Sequence, residues 1–134
     1  MGMDQAMIVA GIGCRRGAQA RDIEAAIEAT LARAGITAGD LKAIATGSAK
    51  AAEPGIAATA AKLGLNIVPI AEAELKAAGD RVMTRSDRVL ALTGVPSLAE
   101  AAALAAAGPS SRLIASRLVV GAATCALARS EPGQ

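Results

Sequence analysis

The amino-acid sequence predicts a single-domain α/β fold, a three-layer α/β/α sandwich around a largely parallel sheet with an antiparallel hairpin near its C-terminus. The chain has 134 residues, which is the size of one domain. Short apolar runs alternate with amphipathic helical segments, and this alternation favours parallel strands joined by right-handed crossovers. The last two apolar runs are separated by few residues, as in a hairpin. We assign residues 1–129 to the domain and residues 130–134 to a frayed tail.

The first strand and helix lie near the N-terminus. Residues 7–12 form a continuous apolar run ended by glycine, which is typical of a strand buried on both faces. Within residues 19–34, apolar side chains recur at every fourth position between residues 23 and 31, as on one face of a helix. Gly35 follows as the expected C-cap of this helix.

Two further strand and helix pairs follow. A strand is predicted at residues 41–45, and the loop of small residues after it leads to Pro54, which suits the first turn of a helix. Gly64 ends that helix. The third pair is a strand at residues 65–70 and a short acidic helix at residues 71–77.

The C-terminal part is less regular. Residues 86–94 are predicted to form a short N-capped helix, and Ser97 is predicted to cap a second helix that runs to about residue 107. Residues 113–115 and 119–127 are predicted to form the two strands of the hairpin.

The composition excludes several classes of function. Aromatic content is 0%, so the chain has no stacking platform for bases, and its net charge of +2 includes no cation run for a phosphate backbone. Nucleic acid is therefore excluded as a partner. The chain has 0 histidines, which removes most general-base designs. Cys14 and Cys125 match no zinc spacing, so we predict neither a metal nor a cofactor.

The same features predict a cytoplasmic protein. Residues 118–128 form an apolar run that is too short to cross a membrane, and we interpret it as a strand. No export signal is found, and two widely spaced cysteines are typical of reduced thiols. A membrane is therefore excluded as a partner.

The turn between the first strand and the first helix has the sequence G-I-G-C-R-R-G. Flexible backbone donors, two cations and a helix N-terminus at the carboxyl end of a sheet suit an anion. A tight turn with solvated arginines explains the same residues equally well, and the double arginine favours the anion. The predicted ligand-binding residues of this turn are Gly11, Gly13, Cys14, Arg15, Arg16 and Gly17.

Three side chains are candidates for chemistry. Cys14 lies where a helix N-terminus and two arginines could lower a thiol pKa, although a small residue that fills a turn is the commoner interpretation. Lys50 and Glu53 follow the second strand, so a parallel sheet places them at the same edge as the glycine-rich turn. A surface ion pair between the two is the alternative. Capping accounts for Ser97 and strand preference for Thr124.

Four segments in a fixed order carry a family resemblance: G-I-G-C-R-R-G, K-A-A-E-P-G, S-D-R-V-L-A-L-T-G-V-P-S-L-A-E-A-A-A-L and A-T-C-A-L-A-R. In this order they resemble the CobE/CbiG C-terminal-domain family of cobalamin (vitamin B12) biosynthesis, in its stand-alone form. The two-domain form is associated with opening a lactone ring on a cobalt-precorrin. By position, the resemblance points to residues 11–17, Lys50, residues 53–55, Ser86, Val89, Thr93, Gly94, Glu100 and Thr124.

Three functions stay open from this resemblance. The first is binding or carrying a corrin or precorrin intermediate, whose many carboxylates arginine can pair with. The second is docking to other enzymes of the pathway. The third is an enzymatic role, as a hydrolase or lyase that acts on a precorrin side chain. Lys50 or Glu53 would be the proton-transfer group and Cys14 the nucleophile. We favour the non-catalytic binding role.

Overall fold

The computed structural model describes residues 7–82 and 97–130, which form a five-stranded sheet with helices on both faces. The described elements, in chain order, are β1 (Ile8–Cys14), α1 (Ala20–Ala34), β2 (Leu41–Gly47), α2 (Pro54–Leu63), β3 (Asn66–Ile70), α3 (Glu72–Ala78), α4 (Leu98–Ala107), β4 (Arg112–Val120) and β5 (Ala123–Arg129). Short 3₁₀ turns precede β2 and follow α3. The helix predicted at residues 86–94 lies outside the described residues.

The strands lie in the order β3-β2-β1-β5-β4. β1, β2 and β3 are parallel, whereas β5 runs antiparallel to both β1 and β4. The prediction of a largely parallel sheet is therefore wrong, and the sheet is mixed. The reason is that β5 inserts between β1 and β4, so the hairpin contributes antiparallel pairs on both sides of β5.

The hairpin itself is confirmed, but its turn falls inside the run that we interpreted as one strand. Residues 118–128 contain the end of β4, the turn Gly121–Ala122 and most of β5. Gly121 has a φ of 57°, a conformation that the first residue of a two-residue hairpin turn often requires and that glycine adopts without strain.

Two apolar layers enclose the sheet, as predicted for an α/β/α sandwich. On one face, α1 and α2 pack through Ile23, Ile27 and Ile56 against the sheet side chains of Ile12 and Ile44. On the other face, α3 and α4 pack against β1, β2 and β5, largely through alanine methyl groups. The second layer is thin because alanine is small, so α4 must approach the sheet closely.

Glycine permits that close approach. A Cβ atom added at Gly11 of β1 would collide with the Ala99 carbonyl oxygen and would lie 2.7 Å from the Ala103 amide nitrogen. The backbone of α4 therefore touches the backbone of β1 directly. Any side chain at this position would push α4 away from the sheet.

The predicted helix ends are confirmed at two glycines. Gly35 ends α1 and Gly64 ends α2, both in the left-handed conformation, with φ of 75° and 70°.

Ser130, which the sequence assigns to a frayed tail, is hydrogen-bonded to Met7, the first described residue. The Ser130 amide donates to the Met7 carbonyl at 2.9 Å, and the Met7 amide donates to the Ser130 hydroxyl at 2.7 Å.

Candidate functional site

The candidate site lies where β1, β2 and β3 end, at Cys14, Gly47 and Ile70. Because these strands are parallel, their last residues meet at one edge of the sheet, which we name the carboxyl edge. Cys14 pairs with Ala123, so the β4–β5 turn at Gly121–Ala122 belongs to the same edge. The predicted grouping of the loops after the first and second strands is therefore confirmed.

The glycine-rich turn after β1 is held by backbone hydrogen bonds. The Arg15 amide donates to the Ala122 carbonyl at 3.0 Å, and the Ala18 amide donates to the Arg15 carbonyl at 3.0 Å. Gly17 has a φ of 76°, which favours glycine. Arg15 and Arg16 are exposed, so both guanidinium groups are accessible to a ligand.

A side-chain hydrogen bond joins this turn to the loop after β2. The Gly17 amide donates to Glu53 Oε1 at 2.9 Å, across 36 residues of chain. Glu53 is the N-cap residue of α2 but makes no side-chain cap hydrogen bond, because its carboxylate reaches Gly17 instead. The predicted proximity of Glu53 to the glycine-rich turn is thus a direct contact.

Lys50 lies in the same loop, within a compact pair of turns. Its amide donates to the Gly47 carbonyl at 2.8 Å, and the Glu53 amide donates to the Lys50 carbonyl at 3.0 Å. The ion pairs found within residues 7–82 and 97–130 join Lys62 to Glu24 and Lys76 to Glu72. The alternative of a Lys50–Glu53 surface pair is therefore not realised.

Cys14 does not have the environment of an activated thiol. Burial raises the pKa of the Cys14 thiol, a change that Lys50 partly offsets and Glu53 adds to. The expectation of a lowered pKa is wrong in direction, because loss of solvation outweighs the nearby cation. Cys14 is therefore a neutral thiol near pH 7 and a poor nucleophile.

Gly11 and Gly13 are packing residues in the structure. Gly11 touches the backbone of α4, and a Cβ at Gly13 would lie 2.7 Å from Thr124 Oγ1 and 3.8 Å from the Ala99 amide nitrogen. The Thr124 hydroxyl donates to the Gly13 carbonyl at 3.2 Å. These contacts account for both glycines, and ligand binding by them stays a prediction.

The N-termini of α1 and α2 also lie at the carboxyl edge, packed side by side. A Cβ at Gly55 would collide with the Ala18 carbonyl oxygen and lie 3.0 Å from Ile23 Cδ1. Asp22, in the first turn of α1, lies 3.4 Å from the Ala122 amide through Oδ2. Helix N-termini carry partial positive charge and unpaired N–H groups, so this end of the sheet favours anions.

Ser97 belongs to the part of the site that the sequence patterns did not reveal, whereas the family resemblance pointed to the neighbouring Glu100. Ser97 is the N-cap residue of α4, yet it makes no side-chain cap hydrogen bond, so the expectation that capping accounts for it is wrong. Its hydroxyl is buried and has no hydrogen-bond partner within the described structure. Glu100, also buried, accepts a hydrogen bond from the Arg117 amide at 2.8 Å.

Other predicted positions are placed less directly. Ser86, Thr93 and Gly94 lie outside the described residues, so their predicted roles stay predictions. Cys125 is fully buried in the core, as expected of a small apolar residue, and burial raises its pKa to about 12.

Across residues 7–82 and 97–130, no cluster of acidic or cysteine side chains could hold a metal ion. No helix in those ranges is long and apolar enough to span a bilayer.

Comparisons with known proteins agree with this geometry. Residues 8–128 match the family model described as Cobalamin synthesis G C-terminus. Protein CobE from Sinorhizobium sp is 39% identical over 121 residues, which cover 90% of this chain and 79% of that protein. The crystal structure of CobE, a protein from the cobalamin (vitamin B12) biosynthetic pathway, matches with a TM-score of 0.88 and 35% identity, over 96% of this chain and 94% of that chain.

A longer relative matches over part of its length. Cobalt-precorrin-5A hydrolase from Priestia megaterium is 33% identical over 102 residues, which cover 76% of this chain but 27% of the hydrolase. The family match spans nearly all described residues, and the CobE structure has the same fold over nearly its full length. The chain therefore belongs to the Cobalamin synthesis G C-terminus family, as a CobE-like protein of cobalamin biosynthesis.

Proposed function

We propose that this chain binds or carries a corrin or precorrin intermediate and holds the peripheral carboxylates of that ligand at the carboxyl edge. The observation that carries the proposal is the hydrogen bond from the Gly17 amide to Glu53. It fastens the loop that bears Arg15 and Arg16 to the loop that bears Lys50, beside two helix N-termini. Two neighbouring loops at the same end of the sheet thus both carry cations.

The chemistry of this surface suits a ligand with several carboxylates. A guanidinium group binds a carboxylate through two parallel hydrogen bonds, and a lysine adds a point charge. Aromatic content is 0%, so the flat face of a corrin ring would meet aliphatic groups or backbone. Recognition through the ligand's charged periphery is therefore the mode that this composition supports.

A titration tests the proposal. Metal-free hydrogenobyrinic acid is added to the protein at moderate salt, and the corrin absorption is followed. We expect saturable binding by the wild-type chain, and a loss of affinity of about ten-fold or more in the double variant Arg15→Ala/Arg16→Ala, because two charge-assisted contacts are removed. The salt dependence of the remaining affinity should also be weaker.

A matched control removes two cations at the other end of the sheet. Lys42 and Arg129 are exposed and lie near the start of β2 and at the end of β5, next to Ile8. The double variant Lys42→Ala/Arg129→Ala changes the net charge equally and should keep wild-type affinity. Equal weakening by both double variants would show that the attraction is unspecific, and no binding by the wild type would reject the proposal.

The second candidate is hydrolysis of a precorrin side chain, which the likeness to cobalt-precorrin-5A hydrolase favours. The raised pKa of Cys14 argues against a thiolate nucleophile, and the Glu53 carboxylate is already engaged by Gly17. Mass spectrometry of the ligand after the titration separates the two candidates. A binding protein returns the corrin with unchanged mass, whereas a hydrolase changes it.

A further inference from the structure

The N-terminus of α4 has the sequence of a capping box, but the box is open. Ser97-Leu98-Ala99-Glu100 has the S-x-x-E pattern in which the serine hydroxyl and the glutamate carboxylate each accept a backbone amide. In the structure, Ser97 makes no side-chain cap hydrogen bond. The Glu100 carboxylate instead accepts the Arg117 amide at 2.8 Å, beside an irregularity in the β4–β5 pairing.

An open box leaves donors without acceptors. The first intrahelical bond of α4 runs from the Ala101 amide to the Ser97 carbonyl, so the preceding amides of Leu98 and Ala99 have no acceptor within the helix. The Ser97 hydroxyl is fully buried and has no partner within the described part of the chain. Native proteins rarely leave a buried polar group in this state, and the exceptions require an explanation.

The place of these donors is the carboxyl edge. The Ala99 amide nitrogen lies 3.8 Å from the position of a Cβ at Gly13, one residue before β1 ends. Leu98 Cδ1 lies 3.5 Å from the corresponding position at Gly47, the last residue of β2. The N-terminus of α4 therefore meets the ends of β1 and β2 from the face of the sheet opposite α1 and α2.

We infer that the Ser97 hydroxyl and the amides of Leu98 and Ala99 bind one carboxylate group of the ligand. This inference rests on the proposed function and adds a second subsite to it. The subsite uses neutral donors and the positive end of a ten-residue helix, whereas the glycine-rich turn offers exposed guanidinium groups. Because Ser97 is buried, the carboxylate reaches it only after a local rearrangement at this end of α4.

The variant Ser97→Ala tests the inference in the same titration. We expect the affinity for hydrogenobyrinic acid to fall by about ten-fold, because a buried carboxylate loses a donor. The salt dependence of binding should stay that of the wild type, since no cation is removed. The thermal unfolding midpoint should stay equal or rise, because the hydroxyl contributes no bond to the free protein.

Ser111→Ala is the matched control at the other end of the same helix. The Ser111 hydroxyl is buried and bonds the carbonyls of Leu104 and Gly108, at 3.0 Å and 2.6 Å. Its removal should lower the unfolding midpoint and leave the affinity unchanged. Ser97→Gly also removes the hydroxyl and is well tolerated at an N-cap, so it gives the same test if Ser97→Ala fails to fold.

Two results would overturn the inference. One is wild-type affinity in the Ser97 variants while Arg15→Ala/Arg16→Ala weakens binding, which rejects this subsite and leaves the proposed function standing. The other is a loss of stability in Ser97→Ala as large as in Ser111→Ala, which would show that the Ser97 hydroxyl is already bonded in the free protein. Failure of the wild type to bind the corrin rejects both proposals together.

Discussion

The two ends of helix α4 differ in whether their polar groups are hydrogen-bonded. At its C-terminus, the Arg81 guanidinium donates to the carbonyls of Ser111 at 2.9 Å and Gly108 at 3.3 Å. The Ser111 hydroxyl lies within hydrogen-bond distance of the Gly108 carbonyl and of the Leu104 carbonyl. At its N-terminus, the Ser97 hydroxyl has no partner within the described structure. Side-chain donors reach carbonyls at one end, whereas the other end keeps a buried hydroxyl without a partner.

This difference separates stability from function along a single helix. A terminus where side chains bond the carbonyls contributes to stability, because leaving those carbonyls buried and unpaired would cost free energy. A terminus that leaves a buried hydroxyl unbonded gives up stability, and such sites are concentrated where proteins bind ligands. The N-terminus of α4 lies at the carboxyl edge, where we propose that the ligand binds.

The largest expected effect comes from Gly11→Ala, which pushes the first half of α4 away from the sheet. The added methyl group would collide with the Ala99 carbonyl and Ala103, so we expect a loss of about 3 kcal/mol in the free energy of unfolding. Urea unfolding followed by far-UV circular dichroism measures it. Gly39→Ala, where the nearest atom to the new Cβ is Thr37 Oγ1 at 3.7 Å, is the control and should change little. Equal stability of both variants would contradict the close packing.

A smaller effect is expected from Arg81→Ala, which opens only the C-terminus of α4. Removal of the guanidinium leaves the carbonyls of Gly108 and Ser111 without this donor, at a cost of about 2 kcal/mol. Corrin affinity should stay at the wild-type value, because the carboxyl edge is untouched. The exposed Arg129→Ala is the control for loss of charge. A weakened affinity in Arg81→Ala would show that the two ends of α4 are coupled.

The smallest effect concerns pH and compares a core thiol with an edge thiol. Burial raises the pKa of the Cys125 thiol to about 12, above its ordinary value of 9.0, so the unfolded chain loses its thiol proton first as pH rises. Stability is therefore fully present below pH 9 and falls above it, by about 1 kcal/mol at pH 10. Cys125→Ala should remove most of this fall.

Cys14→Ala provides the control for that measurement. The pKa of Cys14 is raised in the same direction, but Lys50 offsets part of the effect of burial. Its replacement should therefore change the pH dependence less than Cys125→Ala. A larger change in Cys14→Ala would mean that the Cys14 thiol loses more solvation on folding than the Cys125 thiol.

Local patterns predicted the elements of this fold well but not the way in which the strands pair. The apolar periods located α1 and α2, and glycine located their ends, because these signals depend on neighbouring residues only. The position of β5 between β1 and β4 depends on contacts between distant segments, which no local pattern contains. The turn at Gly121 was hidden inside an apolar run, and the glycine itself was the available signal.

The candidate site was predicted in the same uneven manner. Proximity of Glu53 to the glycine-rich turn followed from the parallel order of β1 and β2, which brings their carboxyl ends together. The open capping box at Ser97 could not be predicted, because the sequence S-L-A-E indicates a closed one. The Glu100 carboxylate instead bonds the amide of Arg117 in β4, and only the fold brings these two residues together.

The reciprocal hydrogen bonds between Met7 and Ser130 have a consequence for how this unit can be joined to other protein. The first and last described residues, Met7 and Ser130, are neighbours at the start of β1, which is the end of the strand remote from the carboxyl edge. A short linker from residue 130 to residue 7 would therefore permit circular permutation, with new termini opened at the exposed turn Ala38–Asp40. The same arrangement lets the unit be fused within a larger polypeptide through one attachment point, with its proposed ligand-binding edge still facing outward.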